Sequence, residues 1–307
     1  MIARLLQEEV FEVLNLDEST PKIQEHEKVW NNCSVCDRSK LSGIVRDFNP
    51  DFVIHLAART DLRGKNLQDY EANLQGVSNL LDALDSISNL KRVIFTSSMY
   101  VCEPGYLPSS FDDYKPHTVY GASKVETEKI IKARSTRYTW SIIRPTSIWG
   151  PWFGEPYDGF FRAVMKRFYF HLGSKACKKT YGYVDNAIFQ ILSILQAPEY
   201  QVKGKIFYLG DYEPYDISEW ANEIADHEGF KIRRLPYPLF VLAGWLGDTL
   251  KLFGVKFPMT SFRLHNMTTD NVLDTSPIQA FVPNLPISRK EGNTRTLAWI
   301  KVVKGAR

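Results

Sequence analysis

The sequence predicts an α/β protein, a doubly wound parallel sheet with a smaller C-terminal lobe, and three observations carry that reading. Short, almost wholly apolar runs recur through the first half, each closed by a small or polar residue. Helical stretches separate them, as the crossovers of parallel βαβ units require. Beyond Gly150 the character changes, with Pro, Gly and aromatic residues crowded into 151–170.

Taken in order, the first strand candidate is 11–16, ending on Asp17. The second, 52–56, is followed by the small pair Ala57 and Ala58. The third, 92–96, ends on Ser97 and Ser98, and the fourth, 140–144, is closed by Pro145. Runs apolar at nearly every position suit strands covered on both faces. Between them, 67–87 carries Leu74, Val77, Leu80, Leu81 and Leu84 at helical spacing. The stretch 120–133 has good helix formers, with Glu126, Glu128 and Lys129 expected on its wet face. Strand and helix return at 206–209 and 218–227, with Ser218 as the expected N-cap. The implied division is a core over 1–150 and a lobe over 151–307 that sends some segments back to the core.

Bulk properties narrow the function. Lys and Arg number 38 against 35 Asp and Glu, a net charge of +3 with the basic residues scattered. Nucleic acid is not an expected partner. Cys33 and Cys36 form a lone C-x-x-C without a second pair, so no metal site is expected. Four cysteines in 307 residues suit a reducing compartment, and no long apolar core follows Met1 to make a signal peptide. The most hydrophobic stretch, 236–254, holds Asp248, Lys251, Gly244, Gly247 and Gly254, which argues against a transmembrane span. It reads first as a helix packed on the core, and second as one lying on a membrane face or a partner.

Tyr120 and Lys124 carry the chemistry. On a helix, positions i and i+4 share a face about 6 Å apart. An ammonium there favours the phenolate and lowers the tyrosine pKa from its ordinary value of about 10, which makes a usable general base. Ser98 sits at the carboxyl end of a parallel strand, where open α/β sheets bind ligands. Its hydroxyl can hold a substrate oxygen while Tyr120 takes the proton. Alone, two serines after a strand are ordinary turn residues.

The ordered set extends much further. It runs through Asp17 after a strand, His55-Leu56-Ala57-Ala58, Asn73, Thr96-Ser97-Ser98, Tyr120-x-x-x-Lys124 and Arg144-Pro145. Trp149-Gly150-Pro151, Tyr183-Val184-Asp185-Asn186, Tyr208-Leu209-Gly210-Asp211, Asp274-Thr275-Ser276 and Thr296-x-x-Trp299 continue it. In this order the chain resembles the extended short-chain dehydrogenases/reductases, the NAD-dependent nucleotide-sugar epimerase/dehydratase family, whose core is a Rossmann-type sheet.

That resemblance implies a set of roles. Asp17 would bond the adenosine ribose, favouring NAD over NADP, and Val35 would cover the adenine. Leu56, Ala57 and Ala58 would border the cofactor phosphates and ribose. Asn73 would belong to the cofactor site, although a buried amide bracing nearby backbone reads equally well. Tyr120 would be the base, Lys124 would hold the nicotinamide ribose, Ser98 would orient the sugar oxygen, and Pro145 would sit near the nicotinamide. Ser147 stands where the family carries a substrate-contacting Asn, and Lys179 where it carries a phosphate-binding Arg.

Several departures qualify the resemblance. The family opens with a strand and a Gly-rich turn that cradles pyrophosphate at a helix N-terminus. Here the chain opens within what reads as the first helix, and neither G-x-G-x-x-G nor G-x-x-G-x-x-G occurs. About 15 residues, a strand plus its loop, are expected upstream in a complete member. Met99-Tyr100 replace the acidic pair of the family's dehydratases, Ser34 replaces a frequent Asp, and Val101-Cys102-Glu103 replace a frequent Val-Tyr-Gly. The expected activity is an NAD-dependent epimerase or keto-reductase acting on a nucleotide-sugar. The alternatives are a hydroxysteroid-type dehydrogenase on an apolar alcohol, or a non-catalytic relative serving as a binding subunit. A cytoplasmic homodimer is expected, through helices near Leu74 and Val125.

Overall fold

A computed structural model describes residues 1–8, 10–154, 158–173, 176–255, 257 and 259–305. Helix α1 (Ile2–Gln7) precedes β1 (Asn15–Asp17), β2 (Trp30–Asn32), α2 (Arg38–Phe48) and β3 (Phe52–His55). Then come α3 (Glu71–Leu84), β4 (Arg92–Thr96), α4 (Val119–Ala133), β5 (Thr139–Pro145) and β6 (Ser147–Trp149). Next are α5 (Asp158–Met165), β7 (His171–Leu172), β8 (Lys178–Lys179), β9 (Tyr181–Tyr183), α6 (Val184–Gln196), α7 (Glu199–Val202) and β10 (Lys205–Leu209). The rest comprises β11 (Tyr215–Asp216), α8 (Ile217–His227), β12 (Arg234–Leu235), α9 (Tyr237–Leu252), α10 (Ser261–Thr268), α11 (Ser276–Gln279) and α12 (Arg289–Gly305). Part of the irregular stretch 151–170, residues 155–157, lies outside the described residues.

The chain divides into two compact units. The first comprises Met1–Glu103, Pro108–Pro145 and Ile188–Leu209; the second comprises Pro104–Leu107, Thr146–Ala187 and Gly210–Arg307. In the first unit β10, β5, β4 and β3 form one parallel sheet in that order. Val93, Ile94 and Phe95 of the inner strand β4 are fully buried, as are Ile142 and Ile143 of β5. Each such side chain stabilises the fold by roughly 1.5–3 kcal/mol through its removal from water. Strand β1 pairs in parallel with β2 in a separate two-stranded sheet. Among the described residues β3 pairs only with β4, and Phe52, Val53 and Ile54 stay half-buried despite their apolar character.

Helices α2 and α3 contribute Leu41, Val45, Val77, Leu80, Leu81 and Leu84 to the core around the sheet. The predicted 67–87 helix begins as a single 3₁₀ turn at Leu67–Tyr70, closed by a capping box between Asn66 and Asp69. The first strand is shorter than the 11–16 run, beginning only at Asn15. The N-cap of α8 is Asp216 rather than Ser218: its carboxylate accepts from the Ser218 and Glu219 amides. A carboxylate there also complements the positive end of the helix.

The larger correction concerns Glu128. Placed on the wet face of its helix by the sequence, it is fully buried, as is Arg144 of β5. Arg144 Nε and Nη2 both donate to the Glu128 carboxylate at 2.8 Å. Nη1 also donates to the Tyr208 hydroxyl (3.1 Å), and Nη2 to the Phe111 carbonyl (2.6 Å). The pair fastens α4 to β5 and β10. On β4, Arg92 Nη1 donates to the carbonyls of Ile194 and Leu195 at 2.6 and 2.7 Å, satisfying the C-terminus of α6.

Removing one partner of a buried ion pair strands the other charge. Arg144→Leu is expected to destabilise the first unit by about 3–5 kcal/mol, and adding Glu128→Leu should recover most of that loss. Urea denaturation followed by circular dichroism reads both, and equal losses in the single and double variants would rule the pair out as the cause.

Candidate active site

The carboxyl ends of β3 and β4 and the first turns of α4 converge in the first unit. Ser98, just beyond β4, is buried, and its Oγ accepts from the Tyr100 amide (3.2 Å), capping a short 3₁₀ turn at Met99–Val101. Helix α4 starts after the N-cap Thr118, whose hydroxyl accepts from the Gly121 amide (3.0 Å). A Cβ on Gly121 would collide with the Tyr100 carbonyl oxygen, so only glycine lets α4 approach that turn. This close approach sets Tyr120 against Ser98, with the Tyr70 and Tyr100 rings 6.0 and 6.2 Å from its own.

Electrostatics in this pocket depart from the sequence expectation. Tyr120 is not lowered: burial pushes its pKa up to about 12, opposed by a hydrogen bond with the Ser98 hydroxyl. The Lys124 ammonium donates to the Thr96 carbonyl at 2.9 Å. Burial also brings Lys124 down to about 8, with Glu128 one turn on acting in the opposite direction. His55, buried at the end of β3, is brought down to about 3 by desolvation and by Lys124, so it is neutral at physiological pH.

The other expected residues of this unit fall at strand ends or behind them. Asp17 ends β1, exposed, with Oδ1 accepting from the Ser19 amide (2.8 Å). Leu56 is exposed and Ala57 and Ala58 are half-buried just past β3. Val35 follows β2, and its carbonyl accepts from Asn79 Nδ2 (3.0 Å). Pro145 is the last residue of β5. Asn73 is buried and committed locally. Its Oδ1 accepts from the Arg59 amide (2.8 Å), and its Nδ2 donates to the Arg59 carbonyl (3.1 Å) and Ser123 Oγ (2.9 Å). The amide therefore braces the loop after β3 against α4.

These residues suit a dinucleotide on one independent observation. Thr96 Oγ1 and Ser97 Oγ are buried at the end of β4 without a hydrogen-bond partner, which is costly unless a ligand or water fills the role. An acid at a strand tip for a diol, small side chains for close approach, and an ammonium beside the serines complete the fit.

Ser147 and Lys179 belong to the second unit. Ser147 opens β6, in register with Tyr181 of β9. Lys179 lies on the wall of a cavity of about 1160 Å³ that Phe160, Tyr169, Leu172, Tyr237 and Phe262 also line. Its ammonium donates to the Asn266 carbonyl, and burial lowers its pKa. The 183–186 segment proves to be a brace: Asn186 Nδ2 donates to Asp211 Oδ1 and to the Ile287 carbonyl, each at 2.8 Å. Sequence reasoning misses Tyr70, Tyr100 and the neutral state of His55. Only Tyr70 has a legible signal, the Asn66-x-x-Asp69 capping pattern that seats it.

The chain is 29% identical to UDP-glucose 4-epimerase of Vibrio cholerae over 68% of its length and 64% of that protein's. It is 24% identical to 3beta-hydroxysteroid-dehydrogenase/decarboxylase isoform 2 of Arabidopsis thaliana, over 85% of its own length and 50% of that protein's. It thus spans between half and two thirds of the length of these two relatives. The fold matches UDP-glucose 4-epimerase from Thermotoga maritima, solved with UDP-glucose, at a TM-score of 0.75 and 17% identity, covering 99% of this chain and 95% of that one. The model of the NAD dependent epimerase/dehydratase family matches residues 1–210; with Ser98, Tyr120 and Lys124 gathered at the ends of its parallel strands, the chain belongs to that family.

Proposed function

We propose that the protein is an NAD-dependent epimerase or keto-reductase acting on a nucleotide-sugar. The observation that carries the reading is the Ser98–Tyr120 hydroxyl pair at the end of β4, with Lys124 one helical turn on. Ser98 holds the reacting sugar oxygen and Tyr120 exchanges a proton with it. With its pKa at about 12 in the protein alone, the phenol is protonated at neutral pH and is set to donate to a keto-sugar oxygen. NAD, when bound, supplies the hydride acceptor and donor, and its cationic ring adds positive charge that favours the phenolate for the oxidative direction. Lys124 and Asp17 would hold the riboses of NAD, Val35 would cover the adenine, Leu56, Ala57 and Ala58 would border the phosphates, and Pro145 would lie near the nicotinamide. Ser147 and Lys179 contribute to sugar and phosphate binding. A cytoplasmic location and a homodimer through α3 and α4 belong to the same reading.

A second reading, oxidation of an apolar alcohol, draws on the aromatic and aliphatic wall of the cavity in the second unit and on the likeness to the Arabidopsis dehydrogenase. Parallel assays decide between them: UDP-sugars with product chromatography, and sterol alcohols with NADH formation. Turnover of sterols alone would replace the first reading with the second.

Tyr120→Phe should lower turnover by at least ~10²-fold, the ordinary size of a general acid–base contribution, and near-normal turnover would remove Tyr120 from the mechanism. Lys124 gives a pH signature. Its ammonium is present below about 8 and is lost above it. NAD affinity, measured by calorimetry, is therefore expected to weaken as pH rises through that value. Lys124→Met should bind weakly without this dependence, and an unchanged pH profile in the variant would assign the titration elsewhere.

A further inference from the structure

Helix α9 is apolar nearly all round, yet Gly244 and Gly247 are its only buried residues. It therefore docks through its glycines. A Cβ on Gly247 would collide with the Met259 carbonyl oxygen, and one on Gly244 would lie 3.2 Å from the Ser261 amide nitrogen. Asp248, its single acid, is engaged on the same side, each oxygen accepting from the Ser261 amide at 3.3 Å. Most of the large side chains point outward. Leu239, Leu242, Trp245 and Leu246 are 51%, 58%, 63% and 52% exposed, and Leu252 and Phe253 are 85% and 78% exposed. At about 100° per residue these six fall on one face. The polar Thr249 shares it, but its hydroxyl is taken up by the Trp245 carbonyl (2.9 Å). The packing expected for 236–254 is thus reversed.

Such a face needs an occupant, and charge selects it. Residues 229–265 contain six Lys or Arg (Lys231, Arg233, Arg234, Lys251, Lys256 and Arg263) against the single Asp248, in a chain whose net charge is only +3. A second copy meeting this face symmetrically would bring like charges together. An anionic lipid surface matches both the apolar face and its basic flanks. The helix, 16 residues long, rises about 24 Å, short of the ~30 Å hydrocarbon core, and no described helix is long and apolar enough to cross a membrane. The fitting geometry is a helix lying in the interface, where Trp245, Tyr237 and Phe253 are suited to the headgroup level. Tyr237 and Phe262, both exposed, also line the 1160 Å³ cavity, which therefore reaches the surface beside α9.

We propose that the exposed face of α9 docks on an anionic bilayer, holding the cavity of the second unit at the headgroup level. This goes beyond the catalytic reading, and its test needs no turnover. Purified protein is floated with vesicles of phosphatidylcholine plus phosphatidylglycerol and with vesicles of phosphatidylcholine alone. Binding to the mixed vesicles, at least ~10-fold weaker on neutral vesicles or in high salt, is the expected result. Leu242→Glu with Leu246→Glu should weaken binding to the mixed vesicles at least ~10-fold without moving the melting midpoint. Quenching of tryptophan by brominated lipid, lost in Trp245→Phe, supplies the readout that survives if the double variant misfolds. Absent binding, equal binding to both vesicle types, binding unchanged in the folded double variant, or quenching unchanged in Trp245→Phe overturns the proposal. So does a solution dimer that the double variant converts to monomer, which would give the face to a second copy.

Discussion

The first unit depends on one constraint, the polar inner face of α4. Tyr120, Lys124 and Glu128 follow one another at four-residue intervals and are all buried, so each needs a partner from beneath the helix. Lys124 finds the Thr96 carbonyl at the end of β4. Glu128 finds Arg144 on β5, which in turn bonds Tyr208 on β10. These bonds fix the helix in rotation and in height over three adjacent strands. Rotating it by one residue would turn each group away from its partner. The position of Tyr120 beside Ser98 is therefore a product of the ion pair two turns along as much as of its own contacts.

The same burial that orders the site also sets its chemistry. Desolvation moves Tyr120 and Lys124 in opposite directions, each towards its uncharged form. In the protein alone the phenol keeps its proton, and the amine holds its own less firmly than a solvated lysine would. In a pocket so well buried, any charge that enters acts strongly on both groups. The unpartnered Thr96 and Ser97 hydroxyls agree with this, since their hydrogen bonds are left to be completed from outside the chain.

Much of this is legible in the sequence, for identifiable reasons. The strands Phe52–His55, Arg92–Thr96 and Thr139–Pro145 stand out because strands covered on both faces are apolar along nearly their whole length, and the second of them matches its expected bounds residue for residue. Tyr120, Lys124 and Ser98 stand out because i,i+4 spacing and the carboxyl end of a strand are local facts. Pattern alone misplaces Glu128, because a carboxylate on a helix is ordinarily solvated; only a distant partner, Arg144, makes its burial tolerable. The direction of the Tyr120 shift escapes for a related reason. Spacing puts Lys124 on the same face, but the burial that raises the phenol's pKa comes from tertiary packing, and no local pattern announces it.

Helix α9 shows the opposite failure. Its composition reads correctly as apolar, and packing on the core then follows from the usual rule that apolar residues go inside. That rule runs one way only, because the informative observation is an exposed apolar patch rather than a buried one. The glycines are the signal that hydropathy overlooks. Gly244 and Gly247, three residues apart, give α9 a smooth strip for close backbone contact, which needs no large side chain on the protein side. Once the glycines make the contact, Leu242, Trp245 and Leu246 are left to face outward. A helix that packs by its smallest residues and exposes its largest inverts the arrangement of an ordinary core, and the basic residues flanking it give that inversion a direction.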